Sequence, residues 1–373
     1  MLLSKSIYTI SDARLVAKRK LPWMVFDYID GAAGEGLGDE LNQQAISDLR
    51  LQTKVLRNVE QRSVKGNLFG EETDLPFGIA PMGMCNLSVP DADLMLARAA
   101  AKHTIPVGVS TAASTPLEDM IDMAQGNAWF QLYFGGDEKV SNALIDRAEA
   151  SGYKVLVLTV DVAEVGRRPR ELRRGFKMPF RIGLSQFIDF ALHPTWSIRT
   201  LINGAPKLAN FGGSTGEFSR TNSRAGADWD FLARIRERWK GKLVVKGVLD
   251  VDDAKKIQSM RVDAIQVSSH GGRQLESVPK AINALNRIRS ALGKDFPIFY
   301  DSGLRNGEDI IKAYAKGADF VFLGRPFLFA MAANGEKGLN DMIDVFKEEI
   351  SIALALLGIK SMTEINHDVI VEE

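Results

Sequence analysis

His270 stands three residues before Arg273 in the run Ser268-Ser-His-Gly-Gly-Arg-Gln-Leu-Glu276, with two glycines between them. The apolar run Ala264-Ile-Gln-Val267 leads into this motif and reads as a buried strand. A strand that ends in a base, a flexible Gly-Gly turn and a guanidinium suits chemistry better than packing. Imidazole accepts a proton near neutrality, and the fork-shaped guanidinium clamps a carboxylate. A small hydroxy acid offers both handles at once.

Four histidines are present, so each can be weighed. His103 ends a helical stretch, His193 precedes a proline in a long insertion, and His367 lies near the tail; these three read as structural or surface residues. Only His270 falls at the carboxyl end of a strand pattern, where α/β barrels build their sites. Asp161, after Thr159-Val, either orients and charge-stabilises a protonated His270 or bridges to a neighbouring strand. Tyr133, after Gln131-Leu, is either a phenol in a site or a core tyrosine with a satisfied hydroxyl. Lys246 ends the apolar strand Val244-Val-Lys, and a buried ammonium needs an anionic or electron-rich partner. Asp301-Ser-Gly-Leu-Arg305 and Gly324-Arg-Pro326 follow consecutive late strands. Glycines there free backbone N–H groups and arginines add charge, which favours a phosphate-bearing cofactor. The scattered histidines suggest no metal site.

These residues need a frame, and the chain shows a repeating one. Apolar runs at 77–80, 106–109, 129–132, 155–159, 243–245, 264–267, 297–300 and 320–323 alternate with amphipathic helical stretches. Eight strand–helix units predict an α/β fold, a closed (β/α)8 TIM barrel, in a single domain spanning 1–373. An open doubly wound sheet is the runner-up, but Gly31-Ala-Ala-Gly-Glu-Gly36 has the wrong spacing for a dinucleotide turn and follows a helix. Residues 1–70 form an N-terminal helical cap in this reading, with Ser11 or Asp12 capping the first helix and a second running from Pro22 to Asp30-Gly31. A long insertion at 162–240 breaks the rhythm: basic at first, then apolar and aromatic, then rich in Gly, Ser, Thr and Arg over 210–228, where mobility is expected. It is either a functional segment or an inert excursion.

The 373 residues are 45% hydrophobic and carry 47 basic and 47 acidic side chains, which fits a soluble globular protein. With no basic excess, no nucleic-acid partner is expected. The single cysteine, Cys85, excludes an internal disulfide and any cysteine-rich zinc site. The first residues lack a basic region followed by an apolar stretch, so no signal peptide is read. No run approaches the roughly 20 apolar residues that span a bilayer.

From about residue 7 to 367 the chain resembles the FMN-dependent (S)-2-hydroxy acid dehydrogenases and oxidases, the family of glycolate oxidase, L-lactate dehydrogenase and (S)-mandelate dehydrogenase. The likeness rests on Leu21-Pro-Trp-Met-Val-Phe-Asp-Tyr28, Ile79-Ala-Pro-Met-Gly83, Trp129-Phe-Gln-Leu-Tyr133, Leu158-Thr-Val-Asp161, Val245-Lys-Gly247, the His270 motif, Asp301 to Arg305 and Leu323-Gly-Arg-Pro326. It implies that His270 is the base, held by Asp161, and that Arg273 and Arg168 bind the substrate carboxylate with help from Tyr28. Tyr133 would hydrogen-bond the substrate hydroxyl or nascent keto oxygen. FMN is the implied cofactor: Pro81, Met82, Gly83, Ser110, Gln131 and Thr159 would line its ring, with Lys246 near the edge that gains negative charge. Asp301, Gly303, Arg305, Gly324 and Arg325 would belong to its binding site, the glycines and arginines at the phosphate.

The sequence departs from the family pattern at four places. Ser269 replaces the usual asparagine beside the base, and Glu276 is one methylene longer than the usual aspartate. Gly31-Ala-Ala-Gly-Glu35 differs from the usual Gly-Gly-Ala-Glu-Asp, and Pro169 replaces the glutamate that often follows the substrate arginine. Pro169 puts the role of Arg168 in doubt. Gly83, where family oxidases often have alanine, leans towards a dehydrogenase passing electrons to a quinone or other acceptor; an oxygen-using oxidase is the alternative. Ala112 leaves room for a side chain larger than glycolate's, so lactate, mandelate and longer acids stay open. His193-Pro-Thr-Trp196 and Pro206 to Phe211 resemble the lactate and mandelate dehydrogenase branch, which implies either peripheral membrane contact through the insertion or a loop or subunit contact there. The expected location is cytoplasmic, with such contact on the inner face of the membrane, and a homo-oligomer, a tetramer, is the expected assembly. Two rival readings fit less well. Inosine monophosphate dehydrogenase needs a mid-chain nucleophilic cysteine and isopentenyl diphosphate isomerase gives no reason for the His270–Arg273 pair, while a non-catalytic barrel would have lost the base or the clamp.

Overall fold

The computed structural model describes residues 7–176, 182–212 and 224–371. Its eight apolar runs form parallel strands: β1 (Phe77–Met82), β2 (Val107–Ser110), β3 (Ala128–Leu132), β4 (Val155–Thr159), β5 (Lys242–Val248), β6 (Ala264–Val267), β7 (Ile298–Tyr300) and β8 (Phe320–Leu323). Each strand pairs with the next and β8 closes on β1, giving the expected TIM barrel. Strands β2, β3 and β4 are buried along their whole length, which is why they read as continuous apolar runs.

Two prolines adjust the ladder. Pro106 has no N–H, so β2 begins one residue later than expected, although the Pro106 carbonyl still accepts from Ile79 N at 2.8 Å. Pro81 coincides with a register shift between Ile79 and Met82, just before the chain reaches the barrel mouth. Inside the barrel, Trp129, Val157, Val244, Phe299, Phe320 and Phe322 form a core of their own. Phe69 closes its amino-terminal end, 5.3 Å from the Phe299 ring and 5.4 Å from Lys242 Nζ at the start of β5. With that end filled, the carboxyl end is left for a site.

Three helices precede the barrel: α1 (Ile10–Lys20), α2 (Trp23–Asp30) and α3 (Leu37–Ser47). Thr9 caps α1, in place of the expected Ser11 or Asp12. Its hydroxyl accepts from Asp12 N while the Asp12 carboxylate accepts from Thr9 N at 3.0 Å. The acid three residues into the box marked the helix start, not its cap. After α2 the chain is tied to the turn that follows β6, with Ala33 N donating to Gly272 O at 2.9 Å. The insertion carries a one-turn helix, Pro169–Arg173, and a hairpin of two helices, Leu184–Leu192 and Pro194–Asn203. Trp229–Arg238 then returns the chain to β5. Of the 210–228 stretch expected to be mobile, residues 213–223 lie outside the described residues. Asn210 at its start is buried, accepting from Leu117 N and donating to Ser110 O.

The Gly-Gly turn is packed tightly, contrary to the flexible turn expected. A Cβ on Gly272, at φ +72°, would lie 2.6 Å from Asp39 N and 3.0 Å from Gly38 C. Gly272→Ala should therefore cost about 2–4 kcal/mol in urea unfolding. Gly36→Ala, also at positive φ but with nothing within 4 Å, should cost about 1 kcal/mol. Equal losses would show that backbone conformation alone, and not close packing, demands glycine at 272.

Candidate active site

The turn after β6 places the base. His270, Gly271 and Gly272 all have positive φ (55°, 61° and 72°), so the chain coils left-handed for three residues. Such a conformation is costly for histidine and persists only where its surroundings enforce it. Ser268 Oγ accepts from His270 N at 3.0 Å, and Ser302 Oγ accepts from Ser269 N at 3.0 Å. The imidazole then reaches across the mouth to β4. Its Nδ1 lies 3.0 Å from Asp161 Oδ1, and its Nε2 lies 3.4 Å from the Tyr133 hydroxyl. The carboxylate favours a proton on Nδ1, leaving Nε2 as the acceptor.

Burial is the largest influence on this imidazole and holds it below the ordinary histidine value; Asp161 opposes that shift, while Lys246 and Arg168 add to it. The group therefore rests neutral, as a base must. Burial pushes the Asp161 carboxyl up, but the imidazolium that His270 becomes at acid pH, its hydrogen bond and the nearby Lys246 ammonium outweigh burial and keep the carboxyl below its usual range. Asp161 Oδ2 is buried with no hydrogen-bond partner among the described residues, so the imidazole is the carboxylate's main contact. The Tyr133 phenol is pushed up by burial and stays protonated.

Arg273 is locked from behind. Its Nη1 donates to Tyr28 O at 2.8 Å and Gly31 O at 2.7 Å, and its Nη2 to Glu171 at 2.9 Å. The Tyr28 ring lies under the guanidinium, stacks on Phe176 and donates its hydroxyl to Gly83 O at 3.0 Å. Pro169 does not remove Arg168 from the site. It occupies the first position of the Pro169–Arg173 helix, where its missing N–H costs nothing. Arg168 lines the same cavity, with Nε on Arg273 O at 3.0 Å and Nη2 on Gln274 Oε1 at 3.1 Å.

The cavity continues past Pro81, Met82, Gly83, Ser110 and Lys246 to Asp301, Gly303, Arg305, Gly324 and Arg325. Lys246 finds its anionic partner in Asp301, 3.0 Å away, and donates to Ser268 Oγ at 2.8 Å. Asp301 also accepts from Gln266, Ser268 and Ser302, so its carboxylate is spent on the protein. Gln131 and Thr159 are buried at their strand ends but not on the cavity wall. Gln131 bridges Ser110 Oγ and Thr159 Oγ1, each at 3.0 Å. At the far end Arg305 and Arg325 share the single carboxylate of Asp39. Burial pushes the Arg325 guanidinium down to about 10; Arg305 and Arg273 add to that shift, and Asp39 opposes it.

Four residues of the site were not read from the sequence. Glu171 is buried between Arg168 and Arg273, and its spacing of three from Arg168 on a helical turn was the available signal. Asp39 offered no signal, since only folding brings α3 to the late strands. Arg224 stands over the Tyr133 ring at 5.7 Å, and Ser268 links Lys246 to the His270 turn.

A family model described as FMN-dependent dehydrogenase matches residues 17–372. The chain is 35% identical to (S)-mandelate dehydrogenase of Pseudomonas putida, over all of this chain and 95% of that one. It is also 35% identical to L-lactate dehydrogenase of Pectobacterium atrosepticum, over 97% of this chain and 96% of that one. A crystal structure of the monotopic membrane protein (S)-mandelate dehydrogenase superposes with a TM-score of 0.93 at 34% identity, covering 98% of this chain and all of that one.

The charge arrangement around His270 has a measurable sign. By NMR titration its imidazole should protonate below the ordinary value of about 6.5. Asp161→Asn should lower the midpoint further, because it removes the groups that favour the charged form while burial remains. A midpoint that rises in Asp161→Asn would show that Asp161 does not stabilise the imidazolium.

Proposed function

The chain belongs to the FMN-dependent dehydrogenase family, whose members oxidise 2-hydroxy acids, and from that premise we propose how its own residues carry out the oxidation. The observation that carries the reading is a single cavity with a neutral histidine and two arginines at one end and a second pair of arginines at the other. Its donor set fits FMN. The Arg305–Arg325 corner has more positive than negative charge, and Gly324 opens a cradle there, where a Cβ would stand 3.2 Å from Met82 Sδ. Arg305, Arg325 and the glycines would hold the phosphate, and Lys246 with Ser110 and the 81–83 backbone would face the ring. When bound, FMN supplies the two-electron acceptor.

The protein's part is binding and proton transfer. Arg273 and Arg168 bind the substrate carboxylate, a charge-assisted contact that fixes the substrate's orientation. Because Arg273 is already held by two backbone carbonyls and Glu171, it needs no reorganisation to do so. Tyr133 donates its hydroxyl hydrogen bond to the substrate oxygen, and His270 accepts the proton at Nε2. Asp161 then stabilises the imidazolium, and the 2-oxo acid leaves.

Met84, Ala112, Val162, Leu208 and Phe176 line the cavity beside these groups and support a substrate with an apolar side chain larger than glycolate's. For the acceptor, the insertion supports a membrane quinone. Its hairpin is fastened inward by polar bonds: Asp189 accepts from Trp23 N and Met24 N, and Trp196 donates to Leu87 O at 2.8 Å. Its outer face is apolar, with Leu184, Phe187, Leu192, Ile198, Leu201 and Ile202 exposed. Among the described residues no helix is long and apolar enough to cross a membrane, so the contact would be peripheral. The likeness to a relative described as a monotopic membrane protein supports the same reading.

Two experiments test these assignments. Mixed anaerobically with 2-hydroxy acids, His270→Ala should keep its flavin yet bleach about 10²–10⁴-fold more slowly than the parent protein; near-normal bleaching would remove His270 as the base. The Phe187→Asp/Leu201→Asp protein should stop sedimenting with lipid vesicles while reducing a soluble dye at the parent rate. Unchanged sedimentation would exclude the hairpin as the contact, and rapid reoxidation of the bleached parent protein by air would favour oxygen as acceptor.

A further inference from the structure

Asp39 lies outside every residue to which the reaction assigns a task, yet it meets both arginines of the far corner. Arg305 Nη2 lies 3.1 Å from each Asp39 oxygen, and Arg325 Nη1 lies 3.0 Å from Oδ1. Arg325 has little left to offer a further anion. Its Nε donates to Ile29 O at 3.3 Å, and its Nη2 donates to Gly31 O at 2.9 Å and Gly271 O at 2.8 Å. Four of its five N–H donors are thus directed at protein oxygens. A phosphate that engages these arginines fully must take donors away from Asp39, and any phosphate there sits beside a like charge. Asp39 is held where it is by its own helix, because α3 packs against Gly272 with no room for a Cβ between them.

We propose that Asp39 is a built-in counter-ion for Arg305 and Arg325, holding them in the flavin-free protein and competing with the phosphate of FMN for them. The inference rests on FMN as the cofactor but not on the hydroxy acid it oxidises. Two partly buried guanidiniums side by side without a carboxylate would be destabilising until an anion arrives. The carboxylate therefore stabilises the apoprotein and weakens phosphate binding together. Its consequence is a cofactor whose phosphate contributes less to affinity than the number of arginines suggests.

Flavin affinity, measured without substrate by fluorescence quenching on the full-length apoprotein, separates this from a purely structural role. Asp39→Asn should bind FMN about tenfold more tightly, the usual size of one like-charge effect, and bind riboflavin, which lacks the phosphate, within twofold of the parent protein. Its apoprotein should melt at lower temperature than the parent apoprotein, and FMN should close that gap. Weaker FMN binding, or equal changes for FMN and riboflavin, would overturn the proposal. So would a variant that stays insoluble when produced with saturating FMN, since the phosphate would then have failed to replace the carboxylate. Because no hydroxy acid enters the measurement, failure here leaves the proposed oxidation untouched.

Discussion

The site depends on the left-handed turn at His270-Gly271-Gly272 more than on any single side chain. Three successive residues at positive φ let the strand end fold back under α3, and that reversal aims the imidazole at Asp161 and the Arg273 guanidinium at the carbonyls of Tyr28 and Gly31. Such a turn resists collapse only if something presses on it from outside. Here α3 and the Arg325 guanidinium do so, occupying the space that a Cβ on Gly272 or Gly271 would need. The glycines are therefore required by close approach as much as by conformation, and the N-terminal cap is part of the active site rather than an accessory to it.

Charge balance is the second constraint, and the same device appears at both ends of the cavity. Arg168 and Arg273 meet Glu171 at one end; Arg305 and Arg325 meet Asp39 at the other. Both arrangements suit an anionic ligand, because two guanidiniums in contact with one carboxylate tolerate further negative charge. Between them, Lys246–Asp301 and His270–Asp161 are one-to-one pairs. Lys246 and Asp301 compensate each other's charge, whereas His270 rests neutral and becomes the counter-charge of Asp161 only when it takes up a proton. Gly31 O joins the two ends, since it accepts from both Arg273 and Arg325.

The departures from the family pattern turn out to be linked. Glu276 reaches into the loop before α3 and accepts from Glu35 N at 2.8 Å and Leu37 N at 2.9 Å. The longer side chain fits because Gly34 has no Cβ, which would otherwise stand 2.1 Å from the Glu276 carboxylate. Two substitutions 242 positions apart in the chain thus fill one space. Ser269 has a comparable place. Its hydroxyl accepts from Asn42 of α3 at 3.1 Å and donates to Ser302 Oγ at 3.0 Å, joining the cap, the base-bearing turn and the end of β7.

Much of this protein is set by local pattern. Eight apolar runs with the pattern of strands buried on both faces point to a parallel barrel, and a base, a glycine pair and a guanidinium at a strand end mark the working face. Those inferences succeed because hydrophobic periodicity and residue chemistry are properties of short segments. Tertiary structure alone decided which charges meet. Asp39 and Glu171 look like ordinary acids on helices, and only barrel closure brings one to Arg305 and Arg325 and seats the other between Arg168 and Arg273. Contacts between elements far apart in the chain depend on the sub-ångström packing of backbones that no short segment encodes. The neutral state of His270 belongs to the same class, for it depends on burial outweighing the Asp161 carboxylate, which lies 3.0 Å away beyond the end of another strand.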